Sequence, residues 1–370
     1  MAKKPFTPIP PMAELPPAEE INVQEILDKY LSGEIDLICV LGPTASGKTR
    51  YAVNLARQIN QLLASIHSSC DGGAESVLPP WPQGEGPATK SWEGFFPHQH
   101  HTTNGAEIIS ADSRQVYRGM DIGTGKDLNE YEEIPYHLMD IVDAGTKYNI
   151  FEYQRDFEKA YKNIVDRGGI PILCGGSGLY IEAATCGYSL PEVPPDPELR
   201  AELEKKSDDE LIAQLASLKP LHNTTDHDTR KRLIRALEIA IYEAEHPVQR
   251  TSFLPKNTYY IGTLVSREVR NARIDARLDA RLQEGMIEEI RGLLDGTHTA
   301  LAPEHRPIPA EDLIYYGLEY KFVTLHLIGE LTFEEMRTQL ATAIHQFAKR
   351  QMTWFRGMER KGITIHWTEV

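Results

Sequence analysis

The fold is decided by Gly42-Pro43-Thr44-Ala45-Ser46-Gly47-Lys48-Thr49, a segment that matches the pattern Gly-x-x-x-x-Gly-Lys-Ser/Thr in full. Glycines in such a loop let the backbone curl, so that successive N–H groups point into one hollow the size of an anion. The helix expected after the loop adds the partial positive charge of its N-terminus. The segment therefore predicts a phosphate site, with Lys48 at the outer phosphate oxygens and the Thr49 hydroxyl as a ligand of Mg²⁺.

The residues on either side of this loop predict a strand before it and a helix after it. Residues 35–41 form a short apolar run, as expected of a buried parallel strand, and residues 49–63 carry apolar side chains on one helical face. Further strands are predicted near 107–110, 137–141, 170–174 and 258–265, with a helix over about 151–166. This alternation predicts an α/β fold, a parallel sheet wrapped by helices.

Composition shifts along the chain predict four segments. Residues 1–33 are interpreted as a Pro-rich tail and a short helix, and residues 34–190 as the α/β core with an irregular insertion at 65–104. Residues 191–228 form a small inserted helical element, and residues 229–370 complete the core and add a helical part. The insertion contains several histidines but no acidic or cysteine partners at ligand spacing, so we interpret it as a solvated loop rather than a metal site.

The overall composition excludes several classes of protein. The chain has 370 residues, 41% of them hydrophobic, so it can form a core and is not disordered as a whole. No apolar run approaches the roughly 20 residues of a membrane-spanning helix, and no signal peptide is apparent. The four cysteines form no CxxC pair, which favours a reducing, cytoplasmic compartment. The net charge of −15 taken as a sum argues against a nucleic-acid partner.

Asp112 follows the second predicted strand, at the sheet edge where ligands of open α/β sheets bind. A carboxylate there suits a Mg²⁺ ligand or a general base, and the structural alternative is a helix N-cap. Residues 174–180 end another strand in glycines and the Ser177 hydroxyl, which predicts a second set of N–H groups at this edge or only a tight turn. The glycine-flanked segment 121–127 is interpreted as a surface turn.

Five motifs in order resemble the tRNA dimethylallyltransferase family, also called the tRNA isopentenyltransferase family, in its bacterial type. They are GPTASGKT (42–49), ISADSRQVYRGMDIGTGKD (109–127), ILCGGSGLYIEA (172–183), RLIRALEI (232–239) and QFAKRQMTWFR (346–356). The resemblance runs from about Ile35 to the C-terminus, apart from the 65–104 insertion. It implies a P-loop NTPase-like fold that hydrolyses no nucleotide and transfers a dimethylallyl group from dimethylallyl diphosphate to N6 of adenosine 37 in tRNA.

The resemblance also implies roles for single residues. Asp112 matches the family's general base, Ser177 stands where the family usually has Thr, and Arg235 matches an arginine that contacts the diphosphate. Gly125 stands where the family usually has Ala. The implied diphosphate site comprises Gly42, Thr44, Ala45, Ser46, Gly47, Lys48 and Thr49, with Thr49 holding Mg²⁺. The implied tRNA contacts are Ser113, Gln115, Arg350, Gln351, Trp354 and Arg356.

Two basic segments bear on the RNA partner. Five arginines between 267 and 281 recur at the spacing of one helix face, and Asp275 and Asp279 could neutralise them in a salt-bridged surface helix. Residues 349–356 interleave cations with aromatics, as RNA binding requires, although Trp354 and Phe355 could equally be core residues. A further cluster lies at residues 230–235.

Three other functions compete with tRNA prenylation: prenylation of free AMP or ADP, a P-loop kinase of a small metabolite, and a nucleotide-binding switch without catalysis. A kinase needs a purine site and a separate Mg²⁺-organising acid, and neither is identified. The partners expected are therefore dimethylallyl diphosphate and the anticodon stem-loop of tRNA, with no membrane. We expect the chain to act as a monomer.

Overall fold

The computed structural model describes residues 15–70, 104–187, 193–218, 229–246, 255–303 and 306–370. The chain divides into two compact units. The first comprises Met1–Tyr148, Tyr153–Cys186 and Leu254–Val370, and the second comprises Asn149–Glu152 and Gly187–Phe253.

A six-stranded parallel sheet forms the centre of the first unit. The strands are β1 (Leu37–Leu41), β2 (Ala106–Ser110), β4 (Tyr136–His137), β6 (Ile170–Gly175), β7 (Thr258–Leu264) and β8 (Ile365–Glu369), in the order β4-β2-β6-β1-β7-β8. In the central strand, Cys39 is in register with Leu173 on one side and Tyr260 on the other. The short strands β3 (Tyr117–Arg118) and β5 (Val142–Asp143) pair separately. The predicted parallel sheet is confirmed.

Helices cover the sheet and continue the chain beyond it. In the first unit they are α1 (Val23–Leu31), α2 (Lys48–Cys70), α3 (Ile150–Asp166, which begins in the second unit), α4 (Gly178–Thr185), α8 (Arg267–Glu284), α9 (Met286–Asp295), α10 (Ala310–Tyr316), α11 (Leu318–Leu327) and α12 (Phe333–Arg360). The second unit contains α5 (Pro197–Leu203), α6 (Asp208–Leu218) and α7 (Arg230–Glu245). Within the described ranges, no helix combines the length and the hydropathy that a membrane span requires.

Each unit has its own apolar core. Strand β1 is buried at every position because it lies inside the sheet, and α2 packs Ala52, Ala56 and Ile59 against this part of the core. A second cluster joins α8, α9, α10, α11 and α12. The second unit has a small core of leucines and alanines from its three helices. The loop between β1 and α2 is thereby fixed at the carboxyl edge of the sheet.

Three predicted boundaries differ from the structure. Residues 137–141 do not form one strand: only Tyr136–His137 pairs in the main sheet, and Leu138 and Asp140 have left-handed φ angles. Leu138 and Met139 are apolar and buried, which made the segment look like a strand. Buried apolar residues alone do not distinguish a strand from an irregular segment. Helix α2 continues into the predicted insertion as far as Cys70, and α7 packs in the second unit beyond the predicted limit of residue 228. Most of residues 1–20 and of the insertion, including its histidines, lie outside the described residues.

Candidate active site

The phosphate loop adopts the curled backbone that its sequence predicts. Ala45 and Gly47 have φ angles of +63° and +82°, which turn the chain into the N-terminus of α2. Gly42 has no room for a side chain, since a Cβ there would overlap the hydroxyl of Thr263. Ser46 Oγ lies 2.6 Å from the same Thr263 Oγ1, so strand β7 supports the loop from below.

Gln351 holds this loop against its neighbour. Its Oε1 accepts a hydrogen bond from Thr44 N at 2.8 Å, and its Nε2 donates to Gly176 O at 2.9 Å. The side chain is buried, with 7% of the residue exposed. This geometry differs from the tRNA contact expected of Gln351, because both ends of its amide are engaged by backbone groups inside the protein. No local pattern could have identified these partners, because they lie 307 and 175 residues away along the chain.

Asp112 is held by a local turn. Its Oδ1 accepts a hydrogen bond from Arg114 N at 2.9 Å, and its own N–H donates to Ser110 Oγ at 3.3 Å. Residues 113–116 form a turn, and no helix begins there. The helix N-cap considered for Asp112 is therefore wrong, and the carboxylate lies at the end of β2 as the sequence predicts.

Ser177 links this turn to the next strand end. Its Oγ accepts a hydrogen bond from Ser113 N at 3.2 Å and lies 3.5 Å from Ser113 Oγ. Ser177 is the N-cap residue of α4, but its hydroxyl makes no capping bond because it faces the Asp112 turn. The glycine turn after β6 therefore also holds the Asp112 turn in place through Ser177.

The segment 121–127 is not a surface turn. Lys126 is buried, with its ammonium bonded to Tyr117 O and paired with Asp121 and Asp140. The backbone N–H groups of 121–123 donate to the carboxylate of Glu289 on α9. A local sequence pattern could not identify Glu289, because it lies more than 160 residues along the chain.

One cavity of about 530 Å³ is lined by half of the predicted site residues. The predicted residues on its wall are Thr44, Lys48, Thr49, Asp112, Ser113, Gln115, Ser177 and Arg350. Ala45 and Gly47 line a second cavity of about 650 Å³, which also reaches Lys48 and Thr49. Gly42, Ser46, Gln351, Trp354 and Arg356 are on neither wall. The first cavity thus joins the phosphate loop to Asp112.

Burial sets the ionisation of several groups on this wall. It lowers the pKa of Lys48, with Cys174 and Asp112 acting in the opposite direction. It raises the pKa of Cys174 to about 12, so the thiol is protonated at neutral pH. It also raises the pKa of Glu319, which Arg281 partly offsets. A negatively charged ligand beside Lys48 would offset the effect of desolvation on the pKa of the ammonium, so this wall favours an anion.

The arginines of α8 are divided between the two cavities. Arg281 lines the first cavity, Arg273 lines the second, and Arg277 lines both. The expected neutralisation within the helix is wrong, since Asp275 pairs with His345 and Asp279 with Arg337, both on α12. Arg277 pairs instead with Asp127 of the 121–127 segment.

Two guanidinium–aromatic pairs lie on the cavity wall and were not predicted. Arg114 Cζ lies 5.6 Å from the centroid of the Tyr316 ring, and Arg350 Cζ lies 5.9 Å from that of Phe347. Further along α12, Phe355 is fully buried and is a core residue, whereas Trp354 is 40% exposed and packs over Gly178. The interleaved segment therefore has one core face and one open face.

Arg235 lies in the second unit. Its guanidinium pairs with Glu238 and donates to Val193 O at 2.9 Å. Burial alone would raise the pKa of Glu238, but hydrogen bonds from Arg200, Asp196 N and Arg235 lower it overall. Arg235 as a diphosphate contact stays a prediction.

The donor groups present fit a magnesium ion shared with a phosphate ligand. Among the described residues, no group of three His, Cys, Asp or Glu side chains could hold a metal by itself. The Thr49 hydroxyl does lie on the wall of both cavities. Since Mg²⁺ is usually bound by one or two protein oxygens together with substrate phosphates and waters, a single hydroxyl at a phosphate loop suffices.

Comparison with known proteins gives concordant matches. The family model described as IPP transferase matches residues 115–358. The tRNA dimethylallyltransferase 2 of Porphyromonas gingivalis is 51% identical over 337 residues, which are 90% of this chain and 93% of that protein. That of Bacteroides fragilis is 49% identical over 340 residues, covering 91% and 93%. The crystal structure of the full-length tRNA isopentenylpyrophosphate transferase of Bacillus halodurans superposes with a TM-score of 0.55 at 28% identity, covering 90% of this chain and 89% of that one.

Proposed function

This chain belongs to the IPP transferase family of tRNA dimethylallyltransferases, and we infer that it transfers a dimethylallyl group to tRNA. We propose that the donor is dimethylallyl diphosphate and that the acceptor is N6 of adenosine 37. The products are then N6-dimethylallyladenosine and diphosphate. The observation that carries this proposal is the single cavity that has Lys48 and Thr49 of the phosphate loop on one part of its wall and Asp112 on another.

The reaction replaces the C1–O bond of the donor with a C1–N6 bond and moves one proton from N6 to Asp112. The lone pair of N6 attacks C1 of the dimethylallyl group, the C1–O bond breaks, and its electron pair leaves with the diphosphate. The proton from N6 passes to the Asp112 carboxylate, which compensates for the poor nucleophilicity of an amine delocalised into the purine ring. General-base assistance of this kind contributes about 10²–10⁴-fold.

Negative charge grows on the diphosphate as the C1–O bond breaks. Lys48 and the N–H groups of the phosphate loop would bind this charge more strongly in the transition state than in the substrate, which is the condition for catalysis. Mg²⁺ held by Thr49 would neutralise part of the same charge. Arg235 is proposed as a further contact on the strength of the motif at 232–239 alone. Ser177 is proposed to present its hydroxyl beside the reacting groups.

A stacked adenosine cannot reach Asp112, so the base must turn out of the anticodon loop into the cavity. Gln115 and Ser113 on the wall are proposed to contact anticodon-loop bases, with Arg350 beside them. A guanidinium resting on an aromatic ring offers its outer face to an unstacked base, which is the arrangement that single-stranded RNA binding uses. Trp354 and Arg356 are proposed as contacts outside the cavity.

One experiment tests the function. The full chain is incubated with labelled dimethylallyl diphosphate and an anticodon stem-loop that carries adenosines at 36 and 37, and RNA-bound label is counted. Parallel reactions contain AMP, ADP, or labelled ATP with the same RNA. We expect label in the RNA only from the prenyl donor. Label in free AMP or ADP, or phosphate transfer from ATP without RNA prenylation, would contradict the proposal.

Asp112→Asn tests the assigned base in the same reaction. The amide oxygen of Asn can still accept from Arg114 N, so the turn should persist while the base is lost. We expect turnover to fall by about 10²–10⁴-fold, with RNA affinity within about twofold of the unaltered chain in a filter-binding assay. Unchanged turnover would remove Asp112 from its role.

We propose that the enzyme works on tRNA in the cytoplasm and that it acts as a monomer. Sedimentation of the chain during turnover tests the oligomeric state. Activity confined to a dimer fraction would contradict the proposed monomer.

A further inference from the structure

Three glycines surround Ser177 in the turn after β6, and each has a neighbour packed where a side chain would begin. A Cβ on Gly175 would lie 2.3 Å from Ala111 O, and one on Gly176 would lie 2.5 Å from Gln351 Nε2. None of the three glycines has a left-handed φ angle, so the space around them requires glycine and the backbone conformation does not. The end of β2 and helix α12 therefore enclose the turn, in which only Ser177 carries a side chain.

Trp354 of α12 is the neighbour of the third glycine, Gly178. A Cβ on Gly178 would lie 2.2 Å from Cδ1 of the indole, 2.5 Å from Cγ and 2.7 Å from Nε1. Gly178 is the buried first residue of α4, and helix propensity alone would favour alanine there by up to about 1 kcal/mol. The indole thus occupies the place of a side chain at 178 and determines where α4 can begin.

Ser177 connects this contact to the turn that contains Asp112. It directly precedes Gly178, and its N–H donates to Ala111 O at 3.2 Å. Its Oγ accepts from Ser113 N at 3.2 Å. The two hydrogen bonds lie on either side of Asp112 in the chain, so a shift of Ser177 would move the carboxylate as well.

We propose that Trp354 is a positioning residue for Asp112. By packing on Gly178, it keeps the Ser177 hydroxyl against the Asp112 turn, so that the carboxylate is directed at the N6 amine. The inference rests on the proposed function. Trp354 lies on the wall of neither cavity, so it acts through Ser177 and not by touching the reacting groups. Its exposed face concerns the RNA contact proposed above, which affects affinity and not the rate of the chemical step.

The test measures the single-turnover rate of prenyl transfer at saturating stem-loop and saturating dimethylallyl diphosphate, where binding no longer limits the rate. Trp354→Ala removes the indole from Gly178. We expect its rate to fall by about 10- to 100-fold, because a small misplacement of a reacting group can cost about 10²-fold. Trp354→Phe keeps the equivalents of Cγ and Cδ1 and should stay within about threefold of the unaltered rate. The KM for dimethylallyl diphosphate should change by no more than about twofold in either variant.

Ser177→Ala distinguishes an effect through the hydroxyl from a general loss of structure. If Trp354 acts through that hydroxyl, removing the indole should cost little once the hydroxyl is absent. The double variant Ser177→Ala, Trp354→Ala should therefore be within about twofold of Ser177→Ala alone. Rate losses that multiply would overturn the inference, and so would an unaltered rate in Ser177→Ala. A raised KM for RNA with an unaltered single-turnover rate in Trp354→Ala would also overturn it, since Trp354 would then only bind RNA.

Phe333→Ala is the matched control. Phe333 is another aromatic residue of α12, is 41% exposed against 40% for Trp354, and lines neither cavity. Its variant should stay within about twofold of the unaltered single-turnover rate.

Gly178→Ala decides the question if Trp354→Ala does not fold, because its Cβ disturbs the same contact from the other side. It should lower the rate in the unaltered chain and have little effect when Ser177 is already alanine. An unaltered rate, or an equal loss in both backgrounds, would overturn the inference. Failure of the unaltered chain to prenylate the stem-loop would instead contradict the proposed function.

Discussion

Lys48 is the residue whose surroundings most directly predict a pH effect. Burial lowers its pKa in the free protein, and a bound diphosphate would raise it again by opposite charge. Binding then takes up a proton wherever free Lys48 is neutral. Diphosphate affinity is therefore expected to be highest below the lowered pKa and to fall as pH rises through it.

Calorimetric titration of diphosphate between about pH 7 and pH 10 measures this dependence, with proton uptake read from buffers of different ionisation enthalpy. Lys48→Met is the control, since methionine has a similar length and no charge. It should bind diphosphate weakly and keep only the pH dependence of the ligand itself. Equal proton uptake by both proteins would show that Lys48 is already fully charged in the free state.

The positions of single residues were predictable where the local chain determines them. Lys48, Thr49 and Asp112 lie where the loop pattern and the strand end predict them, because their partners are within a few residues. The converse holds for Gln351, expected from the resemblance to contact tRNA, and for Lys126, expected in a surface turn. Both side chains are buried by partners that only the fold brings together.

Helix α12 connects two loops of the site, because Gln351 bonds to Thr44 in the phosphate loop and to Gly176 in the turn after β6. Gln351→Met would keep the volume but leave Thr44 N and Gly176 O without partners. Each unpaired buried group costs about 1–3 kcal/mol. We expect a lower melting temperature, and a higher KM for the prenyl donor because the phosphate loop loses its tether.

Thermal unfolding and donor kinetics measure the two effects together. Gln346→Met on the same helix is the matched control for stability, since Gln346 is exposed. A surface change of this kind shifts stability by no more than about 0.5 kcal/mol. If both variants melt alike, the two hydrogen bonds of Gln351 contribute nothing to the fold.

Elements were predicted best where periodicity and burial agree. Strands β1, β2, β6 and β7 were located within one or two residues. The first three are short runs buried at every position, and β7 is buried over its last five residues. The strand predicted at 137–141 was wrong because these residues are buried in an irregular segment, in which Asp140 has a left-handed φ angle and pairs with Lys126. The placement of α7 could not be predicted, because its amphipathic pattern would be the same whichever core its leucines joined. In the structure they join the core of the second unit.

At the scale of the whole molecule, the net charge of −15 conflicts with a polyanionic substrate only if the charge is spread evenly. The first cavity concentrates cations: its wall includes Lys48, Arg114, Arg277, Arg281, Lys321 and Arg350 against the acidic Asp112 and Glu319. The acidic surplus therefore lies elsewhere on the surface. RNA held by this wall should lose less affinity with salt than RNA bound over a wide basic surface, since few phosphates can be neutralised at once.

For single-stranded contacts the logarithm of affinity falls with the logarithm of salt by about 0.7 per phosphate neutralised. Two to four contacts at the cavity mouth would give a slope of about −1.5 to −3, measured with the stem-loop between about 50 and 200 mM salt. Arg350→Gln should make the slope shallower by about 0.7, because Arg350 is an exposed cation on this wall. A slope steeper than about −6 would mean that phosphates are bound over a far wider surface. RNA would then have to bind a basic face outside this cavity, despite the acidic net charge.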